Sequence, residues 1–74
     1  MALNHAADLT SEQEQVLAAI QAHVMEGKGP IAFEDLLLEV LLPPDVVVKA
    51  IAVLASRGLI EVKNPKDEKE LQLA

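Results

Sequence analysis

The sequence contains no cysteine, tryptophan or tyrosine, and Phe33 is its one aromatic residue. Without cysteine the chain can form neither disulfide bonds nor thiolate metal sites, so its stability must come from packing or from association with another chain. A single aromatic ring also excludes the stacking platforms that hold single-stranded nucleic acids. Because 51% of the residues are hydrophobic, the core must be aliphatic.

Long apolar runs are missing as well. Charged residues, glycine or proline interrupt every hydrophobic stretch well before the ~20 residues needed to span a bilayer, and residues 1–8 carry neither lysine nor arginine. A secretory signal would need a basic start before an apolar run. We therefore expect a cytoplasmic protein that does not enter a membrane. Its 74 residues allow one domain.

Positive charge is scarce in the first part of the chain. Residues 1–42 hold seven acidic side chains against Lys28 alone, whereas residues 43–74 hold equal numbers of acidic and basic side chains. The net charge of −6 therefore belongs to the first part. Since placement of charge matters more than its sum, a contact between the second part and nucleic acid stays possible.

Residues 1–9 show no periodicity and are expected to form a flexible arm, with Leu3 or Leu9 as candidate contacts to a domain that spans residues 10–74. A helix is predicted from about Ser11 to Glu26, where apolar residues recur at helical spacing. The pattern leaves two capping boxes open, one between Ser11 and Glu14 and one between Thr10 and Gln13. Gly27 is expected to end the helix.

Two further helices are predicted on either side of a proline turn. Ile31 can contribute only a short extended segment, and a second helix follows before Pro43. The third helix starts at the turn and runs to about Arg57, with Gly58 as its left-handed cap. The predicted buried residues of these two helices are Phe33, Leu36, Leu37, Val40, Val47, Ala50, Ile51 and Leu54.

Alternating apolar and polar residues predict two strands at the end of the chain, Leu59 to Lys63 and Glu70 to Leu73, joined by a polar loop from Asn64 to Lys69. The complete order is helix, short strand, helix, helix and hairpin. The fold class is therefore α+β, with a three-helix bundle and a C-terminal hairpin.

The stretch Leu42-Pro43-Pro44, then Leu54, then Arg57-Gly58-Leu59-Ile60 resembles the helix-turn-helix and wing entry of small bacterial and archaeal winged-helix regulators. The resemblance covers about residues 11–73. It implies a winged helix of order α-β-α-α-β-β whose hairpin is the wing. It also implies that the third helix would enter the major groove of DNA.

The third helix departs from that family pattern, because the positions off its core stripe are mostly aliphatic. A helix that is apolar nearly all round is ordinarily buried, and apolar patches on soluble proteins commonly mark association sites. The leading hypothesis is therefore a protein-protein interaction module, forming a homodimer or docking onto a larger protein. Its interface candidates are Val46, Val48, Ala52 and Val53, extended by Leu38 and Leu41.

The alternative hypothesis is a small DNA-binding transcriptional regulator. In that case the phosphate contacts would come from Lys49 and Arg57 on the third helix and from Lys63, Lys66 and Lys69 on the wing. No arrangement of acid, base and nucleophile supports an enzyme. Neither a metal, a cofactor nor a small-molecule ligand is expected, since His5 and His23 lack partners at metal-ligand spacing.

Overall fold

The computed structural model describes residues 9–64 and 69–74. Within these residues, three helices and three strands follow one another in the predicted order α-β-α-α-β-β. The elements are α1 (Ser11–Met25), β1 (Ile31–Ala32), α2 (Phe33–Val40), α3 (Pro44–Ser56), β2 (Ile60–Lys63) and β3 (Glu70–Leu73). The predicted α+β class and the C-terminal hairpin are confirmed, and the predicted ends of α1 and α3 are each within one residue of the observed ones. None of the described helices is long and apolar enough to cross a membrane.

The start of α1 is capped by Thr10. Its hydroxyl accepts a hydrogen bond from the backbone N–H of Gln13 at 3.2 Å, and the side-chain oxygen of Gln13 accepts one from the backbone N–H of Thr10 at 3.0 Å. This reciprocal pair satisfies two donors that the helix itself leaves free. Of the two capping boxes left open by the sequence, the structure therefore contains the one between Thr10 and Gln13.

The turn between α2 and α3 places a leucine in a backbone conformation that leucine rarely adopts. Leu41, the residue that follows α2, has φ 55° and ψ 34°, in the left-handed region. Its N–H donates to the carbonyl of Leu37 at 3.3 Å, which closes the helix. Pro43 then precedes α3 and Pro44 opens it, at a position where no internal hydrogen bond is lost.

The sheet is antiparallel and has the order β1-β3-β2, so the last strand in the chain is the central one. Ile31 of β1 lies opposite Leu71 of β3, and Val62 of β2 lies opposite the same residue from the other side. Leu71 is fully buried at this crossing. The short β1 is a strand only because it pairs with residues about forty positions later in the sequence.

The core is entirely aliphatic, as the composition predicts, and joins all three helices to the sheet. It contains every core residue predicted for α3. Leu9, which the sequence assigned to the flexible arm, is only 8% exposed and packs with this core. Residues 1–8 lie outside the described residues. The buried set is Leu9, Val16, Ile20, Ile31, Leu36, Val40, Val47, Ala50, Ile51, Leu54, Ile60 and Leu71.

Candidate functional site

Helix α3 has one face in the core and the opposite face in solvent. Five exposed residues lie on one side of the helix, because each of them has a neighbour in the set three or four positions away. We call them the α3 stripe: Asp45, Val48, Lys49, Ala52 and Ser56. Since no described element covers this stripe, it is a free surface of the domain, at the position where a helix-turn-helix presents its second helix.

The six apolar residues predicted to form a protein interface fall into three groups. Val48, which is 44% exposed, and Ala52 lie on the α3 stripe. Val46 and Val53 are half-buried on the flanks of α3. The neighbouring elements of the domain cover these flanks in part as well as the core face. The remaining two, Leu38 and Leu41, lie on α2 and on its C-terminal cap.

One flank of α3 borders a shallow groove beside the first turn of α1. The groove has a volume of about 140 Å³ and is lined by Thr10, Glu12, Gln13, Val46, Lys49 and Ala50. Glu12 and Lys49 thus border the same groove, and Asp45 precedes Lys49 by one helical turn. The carboxylate of Asp45 reduces the positive potential that Lys49 can present to a ligand.

Two more cations lie beyond the stripe. Arg57 is exposed at the C-terminal cap of α3, and Lys63 is exposed at the end of β2. Lys63 lies directly opposite Glu70 in the hairpin register, so a carboxylate accompanies it as well. Lys66, the third lysine that the sequence assigned to the wing, lies outside the described residues.

Lys69 is the last residue of the predicted loop, directly before β3. Its ammonium lies 5.5 Å from the centroid of the Phe33 ring, and its backbone carbonyl accepts a hydrogen bond from the N–H of Phe33 at 2.9 Å. The residue is half-buried at the loop end of the hairpin, directly before β3. It therefore fastens the wing to the start of α2, and its charge is partly engaged by the aromatic face.

Lys28 lies away from the α3 stripe, just after the other end of α1. Its Nζ is 2.9 Å from Oε1 of Glu26. This hydrogen bond and the charge of the partner raise the pKa of Lys28 and lower the pKa of Glu26. The fifteen residues of α1 correspond to about 22 Å of helix, so Lys28 is remote from Lys49.

Helix α2 exposes two leucines. Leu38 is 74% exposed and Leu41 is 85% exposed, and we call them the leucine pair. Exposed carboxylates on the same short helix surround Leu38, namely Glu34, Asp35 and Glu39. An acidic rim around apolar side chains is typical of a contact surface more than of a catalytic site.

Among the described residues, no three histidine, aspartate or glutamate side chains come close enough together to hold a metal ion. His23 is half-buried in the last turn of α1.

Two solved structures resemble this fold. BpsR of Bordetella bronchiseptica, whose DNA binding is regulated by 6-hydroxynicotinic acid, matches 95% of this chain with a TM-score of 0.77 and 21% identity. F-93 of SSV1 matches 90% with a TM-score of 0.67 and 21% identity. The chain spans 47% of BpsR and 73% of F-93. No protein-family model and no curated protein sequence matches it. These likenesses, with the element order, show a winged-helix fold.

Proposed function

We propose that the chain is a DNA-binding module of a transcriptional regulator and that it binds duplex DNA through the α3 stripe. The observation that carries this proposal is the uncovered face of α3, whose side chains are small enough for close approach to a groove. The major groove is about 12 Å wide and admits a single helix of this kind.

The likeness to BpsR supports the same conclusion, since DNA binding is the property named for that protein. Fold alone is a weak argument for function, because unrelated activities share the same scaffolds. The likeness gains weight here because it covers nearly the whole chain, α3 and the hairpin included. This outcome favours the alternative hypothesis of the sequence analysis over protein association as the main function.

The charges indicate weak binding that depends on more than one copy. Lys49 and Arg57 of α3 and Lys63 of β2 are the exposed cations near the stripe among the described residues, and each of the two lysines has a carboxylate close by. A phosphate contact releases counterions, so each one steepens the salt dependence of binding. With so few contacts from one copy, we expect useful affinity only from a dimer on two half-sites.

The test is a titration of labelled duplex DNA at low salt with the protein and with two charge reversals. Lys49→Glu should weaken binding at least tenfold and flatten its dependence on salt, because a phosphate contact is replaced by repulsion. Lys28→Glu is the matched control, since it makes the same change of charge at the far end of α1. Arg57→Glu should behave like Lys49→Glu.

Equal effects of the Lys28 and Lys49 reversals would show that only overall charge matters, and would overturn the assignment to α3. If the unaltered protein produced no shift with duplex DNA at low salt, the proposed function itself would be wrong.

Protein association is a second candidate function, and the leucine pair is the specific observation that favours it. We propose that the leucine pair binds a second copy or a larger protein. Val48 and Ala52 are the other exposed residues of the predicted interface. Burial of apolar area contributes roughly 25 cal/mol per Å². The acidic rim opposes contact between two copies at low salt. Self-association should therefore grow with added salt, whereas DNA binding should decline.

Light scattering across a range of protein and salt concentrations tests this second function. Leu38→Asp combined with Leu41→Asp should abolish any concentration-dependent increase in mass. Ala18→Asp combined with Gln21→Asp adds the same charge at exposed positions of α1 and should leave the increase intact. Aspartate at Val46 or Val53 would be a poorer test, because both are half-buried. A mass that stays monomeric, or association that the leucine variant retains, would contradict the leucine pair as the interface.

A further inference from the structure

The α3 stripe lacks the side chains that recognise purines best. Arginine, which pairs with guanine, and asparagine or glutamine, which pair with adenine, do not occur among its five residues. Its middle is formed by Val48 and Ala52, which present only methyl groups. The hydroxyl of Ser56 donates to the carbonyl of Val53 at 2.8 Å, so its proton is already committed. Lys49 is thus the one hydrogen-bond donor of the stripe that remains available.

An apolar surface can still distinguish bases in the major groove. The C5 methyl group of thymine is the one apolar feature that a base pair displays there, and small aliphatic side chains contact it well. Valine and alanine match this group in size and polarity. A guanine or cytosine edge would instead leave polar atoms against Val48 or Ala52 without a partner.

The spacing of the two residues fits neighbouring bases. Val48 and Ala52 are one helical turn apart, which corresponds to about 6 Å along the helix axis. Successive bases of one strand are about 3.4 Å apart along duplex DNA. Because a helix in the major groove runs obliquely to the duplex axis, two methyl groups that contact Val48 and Ala52 together would come from bases one or two steps apart.

We propose that α3 recognises thymine C5 methyl groups through Val48 and Ala52, at sites that carry two thymines one or two steps apart. This inference rests on the proposed function, because it assumes that the stripe enters the major groove. It adds the class of DNA sequence that the module prefers. Lys49 and Arg57 position the helix on the phosphates, and the two aliphatic residues provide the discrimination.

The experiment has two stages. Duplexes enriched by the protein from a randomised 20-base-pair library are sequenced, and the best site is then synthesised with thymine or with uracil, which lacks only the methyl group. We expect enriched sites to contain the paired thymines, and we expect uracil to lower the affinity about tenfold when two methyl contacts are lost.

Variants assign the effect to the two residues. In Val48→Ser combined with Ala52→Ser, the difference between thymine and uracil duplexes should disappear, because the apolar contact is gone on the protein side. Ala18→Ser combined with Ala22→Ser is the matched control, since it introduces two hydroxyl groups at exposed positions of α1 outside the stripe, and it should keep the difference. Thermal unfolding of each variant establishes that it is folded before affinities are compared.

Equal affinity of the unaltered protein for thymine and uracil duplexes would overturn this inference while leaving DNA binding intact. The same conclusion would follow if the enriched sites contained no thymine. A difference that persists undiminished in the serine variant would come from the shape of the DNA, and would overturn the roles of Val48 and Ala52. Absence of binding to any duplex would overturn the proposed function together with this inference.

Discussion

The ammonium of Lys69 lies 5.5 Å from the centroid of the Phe33 ring, and the backbones of the two residues share a hydrogen bond. This contact joins the loop end of the hairpin to the first turn of α2. A cation over an aromatic ring at a partly exposed site contributes about 0.5–1 kcal/mol. The hairpin of this domain is therefore held partly by its single aromatic residue.

A double-mutant cycle measures that contribution. Lys69→Met keeps the length of the side chain but removes its charge, and should lower the free energy of unfolding by about 0.5–1 kcal/mol. In the background of Phe33→Leu, the same change should have almost no effect, because the ring is missing. Urea denaturation of the four proteins provides the four free energies. An equal loss in both backgrounds would show that the charge of Lys69 acts through something other than the ring.

The capping box at α1 leads to a second prediction. Thr10→Ala should lower the free energy of unfolding by about 1 kcal/mol, because the N–H of Gln13 loses its acceptor. Ser11→Ala is the matched control. Its hydroxyl accepts only a 3.4 Å contact from the side chain of Gln15, so we expect a change within ~0.5 kcal/mol. Thermal or urea unfolding of both variants checks this order, and the reverse order would assign the cap to Ser11.

Leu41 provides a stabilising substitution. A non-glycine residue in the left-handed region is strained, and asparagine tolerates that region better than leucine does. Leu41→Asn should raise the free energy of unfolding by about 0.5–1 kcal/mol, since the exposed leucine side chain contributes no packing within the described chain. Leu38→Asn, at an exposed position with ordinary helical geometry, should instead be neutral or slightly destabilising. A loss of stability in Leu41→Asn would mean that its side chain is covered in solution.

The pair of Glu26 and Lys28 leads to a pH prediction. The pKa of Glu26 is lowered first by its hydrogen bond with Lys28 and then by the charge of Lys28. Its contribution to stability is therefore complete above the pKa of the unfolded chain, and is lost as the pH falls through the lowered value. NMR titration should place the pKa of Glu26 below its ordinary value. Lys28→Gln should raise the pKa of Glu26 back to that ordinary value. Because the pair is exposed, high salt screens it and should also raise the pKa of Glu26 toward its ordinary value. A titration that Lys28→Gln leaves unchanged would contradict this cause.

The local patterns predicted the helices well because each helix is determined by residues a few positions apart. The buried stripe of α3, with Val47, Ala50, Ile51 and Leu54, follows from helical spacing and is confirmed. Gly58 is a similar case: its φ of 74° is the left-handed conformation that the sequence predicted at the helix exit.

The features that the sequence did not reveal depend on partners that are distant in the chain or on unusual residues. The contact between Lys69 and Phe33 could not be predicted from local patterns, because the two residues are 36 positions apart. Leu41 carries no signal for its left-handed backbone, since leucine is among the residues that avoid it. Val46 and Val53 read as free surface, but neighbouring elements cover them in part.

The α3 stripe could be located from the sequence, whereas its ligand could not. The aliphatic residues of the stripe favour a protein partner. Its small number of positive charges argues against DNA. The fold shared with BpsR supports the proposal that the ligand is DNA. The exposed leucine pair supports the proposal of a protein contact. The sequence predicts that the two sets form one patch across α2 and α3, and that grouping stays a prediction.

The central place of β3 has a consequence for the order of events during synthesis. Neither β1 nor β2 has another strand of the described sheet to pair with until Glu70–Leu73 has been made. A nascent chain that has released all three helices from the ribosome still lacks the strand that links the early and late parts of the sheet. We expect such an intermediate to remain loosely packed, with Ile31 and Ile60 uncovered, and the domain to become resistant to proteases in a single late step.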